Sequence, residues 1–119
     1  MYRVQNPVNN QIVEKFDNAT DLDVDKALES AAAAYRDWGA RTFAERAQIV
    51  GRVADLFHER KEELSHIAAA EMGKPLSEGI EEAEFSGDII QYYVDNGESF
   101  AKDQSIPTGE GTARYVACR

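Results

Sequence analysis

The stretch that most constrains this chain runs from Thr42 to Phe100, where apolar residues recur at intervals of three and four. This spacing predicts amphipathic helices rather than strands. Gly73 and Pro75 divide the stretch, because glycine suits the left-handed position that ends a helix and proline fits a first helical turn. We therefore predict one helix over about 43–72 and a second that begins at Pro75 and extends to Phe100.

Thr42 and Glu45 form a predicted capping box at the start of the first of these helices. The hydroxyl of Thr42 can accept a hydrogen bond from the amide of Glu45, while the carboxylate reaches back to the amide of Thr42. Charged residues interrupt the apolar stripe near 59–63 and predict a kink or a brief break there. The stripe itself comprises Val50, Val53, Phe57, Leu64, Ile67 and Ala68.

The second helix carries an apolar face and, on it, a row of small residues. Gly79, Ala83 and Gly87 follow one another at a spacing of four. Each glycine costs about 1 kcal/mol of helix stability relative to alanine, which indicates a packing role. We predict that a neighbouring backbone approaches this row closely. The larger apolar residues of the face are Ile80, Ile90, Tyr93, Val94 and Phe100.

The first forty residues are expected to form a β-hairpin and a helix. Residues 2–6 and 12–16 have strand composition, and the segment between them supplies the Pro and Asn of a turn. Thr20 is the expected cap of the helix, and Asp23 lies in its first turn, where a carboxylate favours the positive helix end. Gly39 is expected to end this helix. Its stripe comprises Val24, Ala27, Leu28, Ala31, Tyr35 and Trp38.

Beyond Phe100 the sequence predicts extended chain. Ile106 precedes a proline and so avoids the helical region, residues 108–111 read as a loop, and 112–118 have strand character. The expected architecture is therefore mainly α: three amphipathic helices with an N-terminal β-hairpin and a C-terminal strand.

Composition excludes several classes of function. The 119 residues include 22 acidic and 13 basic side chains, a formal net charge of -9 that disfavours nucleic acid and anionic membranes. No apolar run approaches the roughly 20 residues of a membrane span, and the first residues lack the apolar core of a signal peptide. A single cysteine precludes an internal disulfide, so a cytoplasmic location is expected.

Three sets of reactive side chains favour structural roles over chemistry. His58, Glu62 and His66 repeat at a spacing of four and could contact a metal, but a tetrahedral zinc site needs a fourth ligand and the flanking charges suit a solvated face. Cys118 has no histidine near it in sequence to activate the thiol. The carboxylates crowded on the last helix, without the histidine motif of a di-iron site, are Glu78, Glu81, Glu82, Glu84 and Asp88.

Seven short segments follow one another in a recognisable order along the chain. They are Asn6-Pro7, Asp23-Val24-Asp25-Lys26-Ala27, Ala44-Glu45-Arg46, Ala54-Asp55-Leu56 with Glu62-Glu63-Leu64, Glu71-Met72-Gly73-Lys74-Pro75-Leu76, Tyr92-Tyr93 and Ile106-Pro107. In this order they resemble the N-terminal quarter of a known family, the NAD(P)-dependent aldehyde dehydrogenases. The sequence of residues 71–76 and the pattern over 84–93 most resemble the succinate-semialdehyde dehydrogenase branch.

This resemblance implies an α/β enzyme that oxidises an aldehyde, expected to be succinate semialdehyde, to the carboxylic acid with NAD or NADP. Residues 1–104 would form the helical part of the cofactor-binding domain with its leading hairpin, and 105–119 would begin the β-ribbon that links subunits into a homo-oligomer. In the family a cysteine thiolate attacks the aldehyde, hydride passes to the nicotinamide, and a glutamate activates the hydrolytic water.

No catalytic or cofactor-binding residue is carried over, because the motifs that hold those groups have no match in residues 1–119, and Cys118 does not match the nucleophile's motif. The chain alone is expected to be inactive and to bind no cofactor. Two features are carried over by position. Glu81, Phe85 and Ile89 would line the aldehyde entrance tunnel, and a monovalent cation could lie near Glu71, with backbone oxygens near Val4.

The residues also allow a different class of function, a non-catalytic helical module that binds a partner or a second copy of itself. Under both hypotheses, the enzyme part and the helical module, some apolar faces of the helices are expected to have no covering element. We expect the isolated chain to self-associate through the faces that bear Val53, Phe57, Ile90 and Tyr93, or to be only marginally stable, because each exposed large apolar side chain forfeits about 1.5–3 kcal/mol of burial.

Overall fold

The computed structural model describes residues 1–109 and 111–115. Four helices lie between two β-hairpins, which confirms the mainly α architecture but replaces three predicted helices with four. The predicted strand residues 116–118, including Cys118, lie outside the described residues. In chain order the elements are β1 (Tyr2–Gln5), β2 (Ile12–Phe16), α1 (Asp21–Ala40), α2 (Phe43–Glu59), α3 (Lys61–Met72), α4 (Leu76–Phe100), β3 (Gln104–Thr108) and β4 (Gly111–Tyr115).

The N-terminal hairpin is confirmed. β1 and β2 are antiparallel, with Tyr2 opposite Phe16 and an irregularity between Val4 and Gln5. Asn10 adopts a positive φ of 59° in the connecting turn, a conformation that asparagine tolerates better than most residues.

The C-terminal strand has a partner that the sequence did not indicate. β4 is antiparallel to β3, and Thr108 pairs with Gly111. The predicted loop over 108–111 is therefore shorter, since both of its ends belong to strands. Gly111 has φ 146°, a value that glycine alone adopts at low cost.

Helices α1 and α2 each begin with a capping box. In α1, the amide of Asp23 donates to Thr20 Oγ1 at 3.2 Å and the amide of Thr20 donates to the Asp23 carboxylate at 3.0 Å. The predicted box of α2 is confirmed by the same exchange between Thr42 and Glu45. α1 ends at Ala40 rather than at Gly39, because the chain leaves the helix in an extended conformation that needs no glycine.

The predicted break near 59–63 is confirmed at Arg60, whose φ of -111° and ψ of 18° divide the segment into α2 and α3. Gly73 ends α3 in the left-handed conformation, with φ 73°, as predicted. Pro75 is the N-cap of α4 rather than part of its first turn, since its ψ of 136° is extended and Leu76 is the first helical residue.

α4 packs along both α2 and α3 through its row of small residues, which confirms the predicted close approach. Gly79, Ala83 and Gly87 are all buried. A Cβ atom added to Gly79 would lie 2.5 Å from Ser65 Oγ, and one added to Gly87 would lie 2.6 Å from His58 Nε2. These distances leave no room for a methyl group.

The remaining apolar faces stay open. Among the described residues, the buried apolar side chains are Ala54 and Ala83, and no residue of α1 is buried. The radius of gyration is 20.8 Å, whereas a compact domain of this length has about 13–14 Å. The accessible surface of 9509 Å² exceeds the roughly 6,400 Å² of a folded monomer of this mass.

Within the described part of the chain, no helix is both long enough and apolar enough to traverse a lipid bilayer.

Candidate functional site

The predicted tunnel residues lie on the outward face of α4. Glu81, Phe85 and Ile89 are exposed and follow at a spacing of four. Phe85 and Ile89 each stand two residues from Gly87, a rotation of about 200° around a helix with 3.6 residues per turn. Gly87 faces α2, so these two side chains project away from the packed side. Their role as a tunnel lining stays a prediction.

A shallow depression of about 360 Å³ lies beside Phe85. Lys74 and Glu82 form an ion pair on its rim. One aromatic ring thus adjoins one cation and three carboxylates, which provides an apolar contact and a charged border for a small polar molecule. None of these lining residues is a nucleophile paired with a base. The residues that line the depression are Lys74, Glu78, Glu81, Glu82 and Phe85.

Three aromatic rings continue the open face toward the end of α4. Tyr92 and Tyr93 meet edge to face with ring centroids 5.5 Å apart, and Phe100 lies 6.1 Å from the first and 6.3 Å from the second. All three side chains are about half exposed. The sequence placed Tyr93 and Phe100 on one apolar face, but it did not predict that Tyr92 joins them. The cluster widens the apolar surface available to a covering element.

The row formed by His58, Glu62 and His66 does not converge on a metal position. The break at Arg60 separates His58 from the other two. The His58 ring packs against Gly87, and its Nε2 lies 3.4 Å from Asp88 Oδ1. In the described segments, no group of three or more His, Cys, Asp or Glu residues is placed to hold a metal ion. His58 therefore serves helix packing.

Some carboxylates of α4 contact residues of other segments. Glu84 accepts a hydrogen bond from Lys61 of α3, and this bond lowers the pKa of Glu84 and raises the pKa of Lys61. Glu82 pairs with Lys74 and Asp88 lies beside His58. Three of the five carboxylates singled out in the sequence thus contact cationic or imidazole side chains of other segments.

The region proposed for a monovalent cation lies where the N-terminal hairpin meets α3. Glu71 is exposed in the last turn of α3, and Val4 is half-buried in β1, which packs against that helix. Pro7 also contacts this end, since a Cβ added to Gly73 would lie 3.1 Å from Pro7 Cγ. The two elements that would supply the ligands are adjacent, and cation binding stays a prediction.

Comparison with known proteins identifies relatives over nearly the whole chain. The model of the aldehyde dehydrogenase family matches residues 1–119. A succinate-semialdehyde dehydrogenase [NADP(+)] of Deinococcus radiodurans is 37% identical over 111 residues, which cover 93% of this chain and 23% of the relative. A 1-pyrroline-5-carboxylate dehydrogenase of Staphylococcus epidermidis is 37% identical over 107 residues, or 89% of this chain and 21% of that protein.

Solved structures agree on the fold. The succinic semialdehyde dehydrogenase of Streptococcus pyogenes, solved in complex with NADP+, superimposes with a TM-score of 0.87 at 28% identity and covers 98% of this chain. That match spans 26% of the S. pyogenes chain, so the present chain spans about a quarter of the length of the relatives it matches. The chain belongs to the aldehyde dehydrogenase family.

Proposed function

We propose that this chain is the N-terminal helical part of an oxidoreductase that oxidises an aldehyde to a carboxylic acid with NAD or NADP, with succinate semialdehyde as the substrate. Family membership supports the reaction class. Succinate-semialdehyde dehydrogenases occur both among the sequence relatives and among the matching solved structures, which supports the substrate. A cytoplasmic homo-oligomer is part of the same proposal.

One observation carries this proposal: the chain exposes roughly 3,000 Å² more surface than a folded monomer of its mass should. That excess, on one partner alone, is well above the roughly 800 Å² per partner of a standard interface and is of the size found in permanent complexes. An open α1 and an open outer face on α4 are expected of a part that covers a larger body.

In this proposal the reacting groups lie outside residues 1–119, and the chain contributes packing and access. Phe85 and Ile89, with Glu81 one turn before them, border the path of the aldehyde. Residues 1–104 belong to the cofactor-binding domain, and 105–119 begin the β-ribbon between subunits, in keeping with the exposed residues of β3. The isolated chain is expected to bind no cofactor and to be inactive.

A chimera tests the proposal. Residues 1–119 replace the matching segment of the D. radiodurans enzyme, and NADPH or NADH formation is followed with succinate semialdehyde. We expect turnover from the chimera and none from residues 1–119 alone. Turnover by the isolated chain, or a folded chimera that binds cofactor but oxidises no aldehyde, would contradict the proposal.

The second candidate is a helical self-association module, which the half-exposed cluster of Tyr92, Tyr93 and Phe100 supports. Sedimentation of the isolated chain separates the two. A discrete, stable dimer together with an inactive chimera would favour the module, whereas an active chimera favours the enzyme whatever the isolated chain does.

A further inference from the structure

We draw no further inference here: the strongest candidate, the open groove between α2 and α4 lined by Ala47, Gly51 and Val94, carries none because nothing in the described part of the structure shows what covers it.

Discussion

α1 and α4 are both long amphipathic helices, yet among the described residues only α4 packs against other helices and buries part of its surface. α1 has 20 residues and none is buried. α4 has 25 residues and buries Gly79, Ala83 and Gly87 against α2 and α3. Both carry large apolar side chains that remain exposed, for example Leu28 at 64% and Phe85 at 64%. α4 meets its neighbours through this buried row of small residues, whereas the small residues of α1 are all exposed.

This contrast separates the local interactions that form a helix from the tertiary contacts that bury its apolar face. α1 is specified locally, by its capping box at Thr20 and by the alanines over 31–34, which have the highest helix propensity. α4 lacks a side-chain cap and instead gains from tertiary packing. In the proposed function, the apolar stripe of α1, which no described residue buries, is the surface that meets another part of a larger protein.

The largest expected effect tests the open stripe of α1. Leu28→Gln keeps the length and helix propensity of the side chain and removes its apolar character. In the chimera it should cost about 1.5–3 kcal/mol, because Leu28 would be buried there. In the isolated chain the free energy of unfolding should change by less than about 0.5 kcal/mol.

Urea unfolding of both proteins measures this difference, with Glu29→Gln as the neighbouring control. A loss of the same size in the isolated chain would mean that α1 already has a partner there.

Two glycine substitutions sharpen the comparison because they should change stability in opposite directions. Gly79→Ala places a Cβ 2.5 Å from Ser65 Oγ and 3.0 Å from Ser65 Cα, so overpacking should destabilise the chain by about 1–2 kcal/mol. Gly39→Ala meets nothing within 4 Å and should stabilise α1 by about 0.4–1 kcal/mol.

Urea unfolding followed by circular dichroism gives both values. If Gly79→Ala also stabilised the chain, the tight packing of α4 would be refuted.

Loss of each capping box should destabilise a region of different size. Thr42→Ala and Thr20→Ala each remove a cap worth about 1 kcal/mol. Because α2 packs on α4, Thr42→Ala should lower the stability of the helical bundle as a whole. Thr20→Ala should only increase fraying of α1.

Amide hydrogen exchange resolves the two outcomes residue by residue. Faster exchange throughout α4 after Thr20→Ala would show that α1 is coupled to the bundle.

The smallest effect concerns pH. The hydroxyl and amide of Thr42 both donate to Glu45 and lower its pKa below the ordinary 4.5. A carboxyl group whose pKa is lower in the folded state than in the unfolded state stabilises the fold at pH values above its unfolded-state pKa. This stabilisation is lost as the pH falls through the folded-state pKa. Glu45→Gln should therefore reduce the loss of α2 helicity between neutral pH and pH below 4.5.

An acid titration of helicity by circular dichroism checks this prediction. Identical titration curves for the two proteins would exclude a contribution from the capping carboxylate.

Sequence reasoning succeeded where the signal is local. The capping box at Thr42, the left-handed Gly73 and the break near Arg60 each depend on a few adjacent residues, and the close approach along Gly79 to Gly87 followed from the cost of glycine in a helix.

Sequence reasoning missed contacts between residues that are distant from each other in sequence. The pairing of β3 with β4 and the packing of His58 against Gly87 depend on tertiary geometry. The candidate tunnel of Glu81, Phe85 and Ile89 came from family resemblance alone, and the structure adds that all three share an exposed face.

The most direct test of the central claim is amide hydrogen exchange over α1 in the isolated chain and in the active chimera. If α1 covers a larger enzyme, its amides should exchange rapidly in the isolated chain and become strongly protected in the chimera. Equal protection of α1 in a monomeric isolated chain and in the chimera would contradict the account.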